Sequence, residues 1–63
     1  MKPTPAQIDV LRKLSEGLLL KQVAYARGTC YGSVKAHMRE AQRRLHARTP
    51  IQAVANAIKE GLL

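Results

Sequence analysis

Apolar residues recur at helical spacing along nearly the whole chain, and nowhere do β-branched residues alternate with polar ones. That spacing gathers apolar side chains on one face of successive helices and leaves no strand from which to build a sheet. The expected fold is therefore all-α. Two Thr-Pro pairs and three glycines cut the pattern into four helical segments. Thr4-Pro5 and Thr49-Pro50 each join an N-cap hydroxyl to a proline at the first helical position, where a missing N–H is no loss. Gly17, Gly28 and Gly61 fall where a helix would stop.

The first segment follows Thr4-Pro5, with Ile8, Leu11, Leu14 and Leu18 as its apolar stripe. A short second helix runs from about Leu20 to Arg27, with Val23 and Ala24 facing inward, and ends in a tight Gly28-Thr29-Cys30 turn. The third runs from about Tyr31 to Leu45. At 100° per residue, Val34, Met38, Ala41 and Leu45 share a narrow arc that should be buried. Lys35, Arg39 and Arg43 point away from that arc, with the small residues Gly32 and Ala36 beside them. A thin apolar seam opposite a basic face with small gaps suits insertion into a groove. The fourth helix, about Ile51 to Glu60, is expected to turn Ile51, Val54, Ala55 and Ile58 to the core, with Leu62 closing over it.

Charge narrows the class of partner. The chain carries eleven Lys and Arg against four Asp and Glu, a net +7. Between Lys21 and Arg48 stand Lys21, Arg27, Lys35, Arg39, Arg43, Arg44 and Arg48, against the single acid Glu40. Such an asymmetry makes a positive face that attracts a polyanion. With only Tyr25 and Tyr31 as aromatics, the stacking platform of a single-strand or RNA binder is missing. Duplex DNA is the expected partner.

At 63 residues, residues 1–63 form one domain with a small core, for a chain this short buries only about 60% of its unfolded surface. One cysteine permits no internal disulfide, and no Cys/His cluster has zinc spacing. His37 and His46 are too far apart in helical phase to share a metal, so no metal and no cofactor is expected. The four acids are scattered, no glycine loop cradles phosphate, and Ser33, His37 and Cys30 form no nucleophile set, which excludes an enzyme. Cys30 reads as a small residue tolerated in the turn. The start of the chain lacks the apolar stretch of a signal peptide, and the longest apolar run is Leu18-Leu19-Leu20. No membrane is expected, and the place of action is the cytoplasm, with the nucleoid when bound.

Ala24, Gly28 and Val34 have the spacing of a helix-turn-helix: a small residue where two helices cross, a glycine at the turn, and a β-branched anchor. With them stand Thr4-Pro5, Val10-Leu11, Glu16-Gly17-Leu18, Lys21, Val23-Ala24, Val34-Lys35, His37, Arg43-Arg44-Leu45, Ala53-Val54-Ala55 and Gly61-Leu62-Leu63. In that order and without a gap, these make a chain that resembles the LuxR/GerE-type helix-turn-helix domain of bacterial transcription regulators, from Thr4 to Leu63. Departures are Arg27, where the family has a buried leucine, Thr29, where it has an apolar turn residue, and Cys30, where it has a Ser/Thr cap. Gly32 also weakens the third helix by roughly 0.5–1 kcal/mol relative to alanine.

The resemblance implies a tetrahelical fold with the third helix as recognition helix. It implies base contacts from Lys35, Ala36 and Arg39, and phosphate contacts from Lys21, Ser33, His37 and Arg43. It implies a homodimer formed through the last helix, for which Ala53 and Ala57, on the side away from the core, would permit close approach. The function expected is that of a sequence-specific transcription regulator, stand-alone and controlled by its abundance rather than the output domain of a longer protein. The alternative is a small interaction module that pairs with related regulators or with RNA polymerase.

Overall fold

The computed structural model describes residues 2–63. Its four helices are α1 (Pro5–Ser15), α2 (Leu20–Arg27), α3 (Tyr31–Arg44) and α4 (Pro50–Lys59), and no strand occurs among the described residues. No described helix is long and apolar enough to cross a membrane.

Both Thr-Pro signals act as caps. The Gln7 N–H donates to Thr4 Oγ1 (3.3 Å) while Gln7 Oε1 accepts from the Thr4 N–H (3.0 Å), a reciprocal capping box. This gives a partner to Oε1 of Gln7, a residue that lies in the core at 5% exposure. At α4 the Gln52 N–H donates to Thr49 Oγ1 (3.0 Å), and Gln52 Oε1 accepts from the Arg48 N–H (2.7 Å). α2 has no capping hydroxyl before it; Gln22 Oε1 accepts the Leu19 N–H instead (2.7 Å). Gly28 ends α2 with φ 66°, and the Thr29 N–H reaches back to the Ala24 carbonyl (3.0 Å). A side chain at Gly28 would meet no neighbour, so glycine is required by the left-handed backbone rather than by space. α3 ends without glycine. His46 takes the left-handed conformation (φ 54°) there, as His does more readily than most residues. The Ala47 N–H then bonds the Gln42 carbonyl (2.8 Å).

α1 and α3 each pack against all three other helices. The core consists of Val10, Leu11, Val23, Ala24, Val34, Met38, Ala41, Leu45, Ala53 and Ala57. The α3 seam is the one its periodicity predicts. On α1 the buried face is Gln7, Val10 and Leu11, while Ile8, Leu14 and Leu18 are only half-buried.

α4 is rotated from the sequence expectation. Ala53 and Ala57, assigned to a dimer surface, are fully buried inside the chain. Ile51 and Ile58, assigned to the core, are 83% and 56% exposed, and Ala55 is also exposed. Size decides the register: two methyl side chains let α4 approach α1 and α3 closely, whereas isoleucines at the same positions would hold it off. Asn56 fixes the rotation by donating from Nδ2 to the Leu45 carbonyl (2.9 Å), one of the free carbonyls at the end of α3. The small residues do mediate a close helix approach, but within one chain.

A polar tie joins α1 to α2. Asp9 accepts from Lys13 Nζ (2.9 Å to both oxygens) and from Arg27 Nη1 across the helix pair. Arg27 thus occupies a part-buried position by bringing its own counter-charge, although its Nε is buried without a partner. Lys13 first, then Arg27, hold the Asp9 carboxyl below its ordinary value of 3.8. A depressed carboxylate stabilises the fold above that value and loses the contribution as pH falls through its folded-state pKa.

Asp9→Asn is therefore expected to lower stability by about 1 kcal/mol at neutral pH, the upper end for part-exposed pairs. The deficit should shrink toward zero in acid, as urea melts at about pH 7 and pH 3 would read through this linkage. Ala53→Leu overfills the α1–α3–α4 junction and should cost about 1–3 kcal/mol in the same melts; an unchanged midpoint would mean that Ala53 does not face the core.

Candidate nucleic-acid interface

The rotation of α3 decides what its outer face presents. With Val34, Met38, Ala41 and Leu45 inward, Lys35, Ala36 and Arg39 are exposed on the opposite side. Ser33 and Arg43 are exposed on the same helix, and His37 is half-buried at its flank. Lys21 is exposed in the first turn of α2. At 1.5 Å per residue, the 14 residues of α3 make a rod of about 21 Å, and the whole molecule measures 27 × 19 × 19 Å. A helix on one side of so small a body is free to approach a groove.

Not every cation on this face is equally available. Glu40 accepts from Arg43 Nε (3.0 Å) and Nη2, and from Arg44 Nε (2.7 Å). Arg43 first, then Arg44, push the Glu40 carboxyl down to about 2, and Glu40 in turn raises the pKa of Arg43. Arg44 is further tied through Nη1 to the Lys2 carbonyl (3.1 Å). Arg43, expected to grip phosphate, is therefore already partnered. Lys21, Lys35 and Arg39 have no carboxylate partner among the described residues.

Lys35 and Arg39 also border a shallow groove with Leu20, Met38, Gln42 and Pro50. Its apolar floor and basic rim place aliphatic surface beside the two cations, which suits contact with base edges more than with phosphate alone. At the start of α3 the cap position belongs to Cys30, whose thiol lies 3.6 Å from the Ser33 hydroxyl. The Ser33 side chain, followed by its backbone N–H, lowers the Cys30 pKa. Ser33 is thus engaged by its neighbour while remaining exposed.

The structure brings Lys21 and Lys35 together at Tyr31, which sequence reasoning left without a role. Their ammonium groups lie 5.7 and 5.1 Å from the ring centroid. The Tyr31–Lys35 spacing of one helical turn was a visible signal; the approach of Lys21 from another helix was not. Ala53 and Ala57 lie in the core and take no part in any surface. No cluster of three or more potential metal ligands occurs among the described residues.

Glu40→Gln removes the acid from this face. It is expected to tighten binding of a nucleic-acid duplex and to steepen the logarithmic salt dependence by about one phosphate contact. Titrations at several ionic strengths check this; an unchanged slope would leave Arg43 outside the interface.

Comparison with known proteins finds no matching family model, no similar curated protein and no similar solved structure.

Proposed function

We propose that the chain is a sequence-specific duplex-DNA-binding transcription regulator that lays α3 in the major groove, as a LuxR/GerE-type helix-turn-helix formed by α2, the Gly28-Thr29-Cys30 turn and α3. The observation that carries this reading is the unpaired basic face of Lys35 and Arg39, opposite the α3 seam and flanked by Lys21. The major groove is about 12 Å wide and admits one helix. Arg39 is suited to bidentate pairing with guanine O6 and N7, and Ala36 to contact with a thymine methyl. Lys21, His37 and Arg43 flank these and suit phosphates.

The regulator acts as a dimer through α4, on half-sites about one helical turn apart. The surface for it is the apolar ridge of exposed Ile51 and Ile58 with half-buried Val54 between them, in place of Ala53 and Ala57. No catalytic step belongs to this reading, since Asp9 and Glu40 are spent on ion pairs. Its place of action is the cytoplasm, on the nucleoid when bound.

The same ridge favours a second reading. Ile51 and Val54, with Leu14 and Pro50, line an apolar hollow, and a module that pairs with related regulators or RNA polymerase would use it. Charge reversal at Lys35 and Arg39 separates the two. Loss of the transcriptional effect supports DNA binding, and an intact effect supports the interaction module.

The direct test is fluorescence anisotropy of a mixed-sequence duplex against a matched single strand, across about 50 to 200 mM salt. Duplex preference with steeply falling affinity is the expected outcome; no binding to either at low salt would reject the reading. Arg39→Ala should cost about 1–3 kcal/mol and relax sequence preference. Equal weakening on every sequence would make Arg39 a phosphate contact instead.

A further inference from the structure

Tyr31 opens α3 and is 40% exposed. Two cations converge on it from different helices: Lys35, one turn further along α3, at 5.1 Å from the ring centroid, and Lys21, in the first turn of α2, at 5.7 Å. Both distances fall within the ~6 Å over which an aromatic face attracts a cation. Like charges drawn to one ring repel one another, and a lysine ammonium rides on a flexible stem that water readily disperses. Neither lysine has a carboxylate partner among the described residues. The negative face of the ring is the attraction that offsets their repulsion.

We propose that Tyr31 is a positioning residue whose ring gathers the Lys21 and Lys35 ammonium groups across the α2–α3 turn into one preformed pair of cations for DNA. This rests on the duplex-binding reading and adds to it a residue with no contact role of its own. Cations ordered before docking lose less freedom on binding. An ammonium has three N–H donors, so each lysine can stay at the ring and still donate to a phosphate oxygen or a guanine edge. The ring thus couples a groove-facing lysine on α3 to a backbone-facing lysine on α2.

The test compares Tyr31→Phe, which keeps the ring, with Tyr31→Leu, which keeps apolar bulk and removes it. Each is made with and without Lys21→Ala and Lys35→Ala together. The readouts are anisotropy with a mixed-sequence duplex and, in the free protein, the ring-current shift of the lysine side-chain protons. Tyr31→Phe should bind within about twofold of the parent, and Tyr31→Leu about five- to twentyfold more weakly, because two lysine side chains would then be ordered on binding rather than before it. In the background lacking both lysines, Tyr31→Leu should have no further effect, as coupling through them requires. The upfield lysine shifts should persist in Tyr31→Phe and vanish in Tyr31→Leu.

Equal losses in Phe and Leu would make the hydroxyl the active group and overturn the proposal. So would parental affinity in Tyr31→Leu, or an undiminished loss without the lysines, which would mark a merely structural role at the start of α3. Failure of the duplex-binding reading looks different. There the parent protein binds no duplex while the ring-current shifts remain, and both ideas fall.

Discussion

The burial of one seam on α3 governs the rest of the molecule. Val34, Met38, Ala41 and Leu45 lie at 0–2% exposure against three other helices, so α3 cannot turn about its axis without opening the core. Every α3 residue of the candidate interface is placed by that constraint. A rotation by one residue, 100° on a helix, would carry Arg39 toward the core and turn Met38 outward. The burial that stabilises a small chain also aims its charges, and the two tasks cannot be varied independently.

The fate of two helices explains what could be read from sequence. On α3 the charged positions mark the outside, so apolar periodicity and charge agree and the buried seam is legible. α4 offers no such contrast. Ile51, Ala53, Val54, Ala55, Ala57 and Ile58 surround much of its circumference, and hydropathy ranks the isoleucines as the inward residues. Packing ranks them differently, because the space between α1 and α3 admits a methyl group where a branched side chain would clash. A close-packed interior selects by volume once every candidate is apolar. Asn56 was a polar clue, but its bond to the Leu45 carbonyl depends on an α3–α4 geometry that no local pattern encodes.

The contacts hidden from the sequence are those between segments. Thr4-Pro5, Gly28 and Thr49-Pro50 announce themselves, because caps and turns act over three or four residues. Arg27 gave no sign that Asp9, on another helix, would meet it. Lys21 gave no sign that Tyr31 lay within its reach. The Glu40 pairs are local, at three- and four-residue spacing, and were legible in principle.

Acid placement, more than the number of bases, shapes the positive face. A net +7 on so small a body works against compactness through self-repulsion. Asp9 absorbs Lys13 and Arg27, and Glu40 absorbs Arg43 and Arg44. Two carboxylates thus quiet four bases, one pair between α1 and α2 and one toward the end of α3. The bases left without a carboxylate near the exposed start and middle of α3 are Lys21, Lys35 and Arg39. Lys21, Lys35 and Arg39 stay free to move to a ligand, while Asp9 commits Arg27 to holding α2 against α1. A carboxylate introduced beside Lys35 would damage this arrangement more than the loss of any peripheral base, because it would pair a cation that has no carboxylate partner among the described residues.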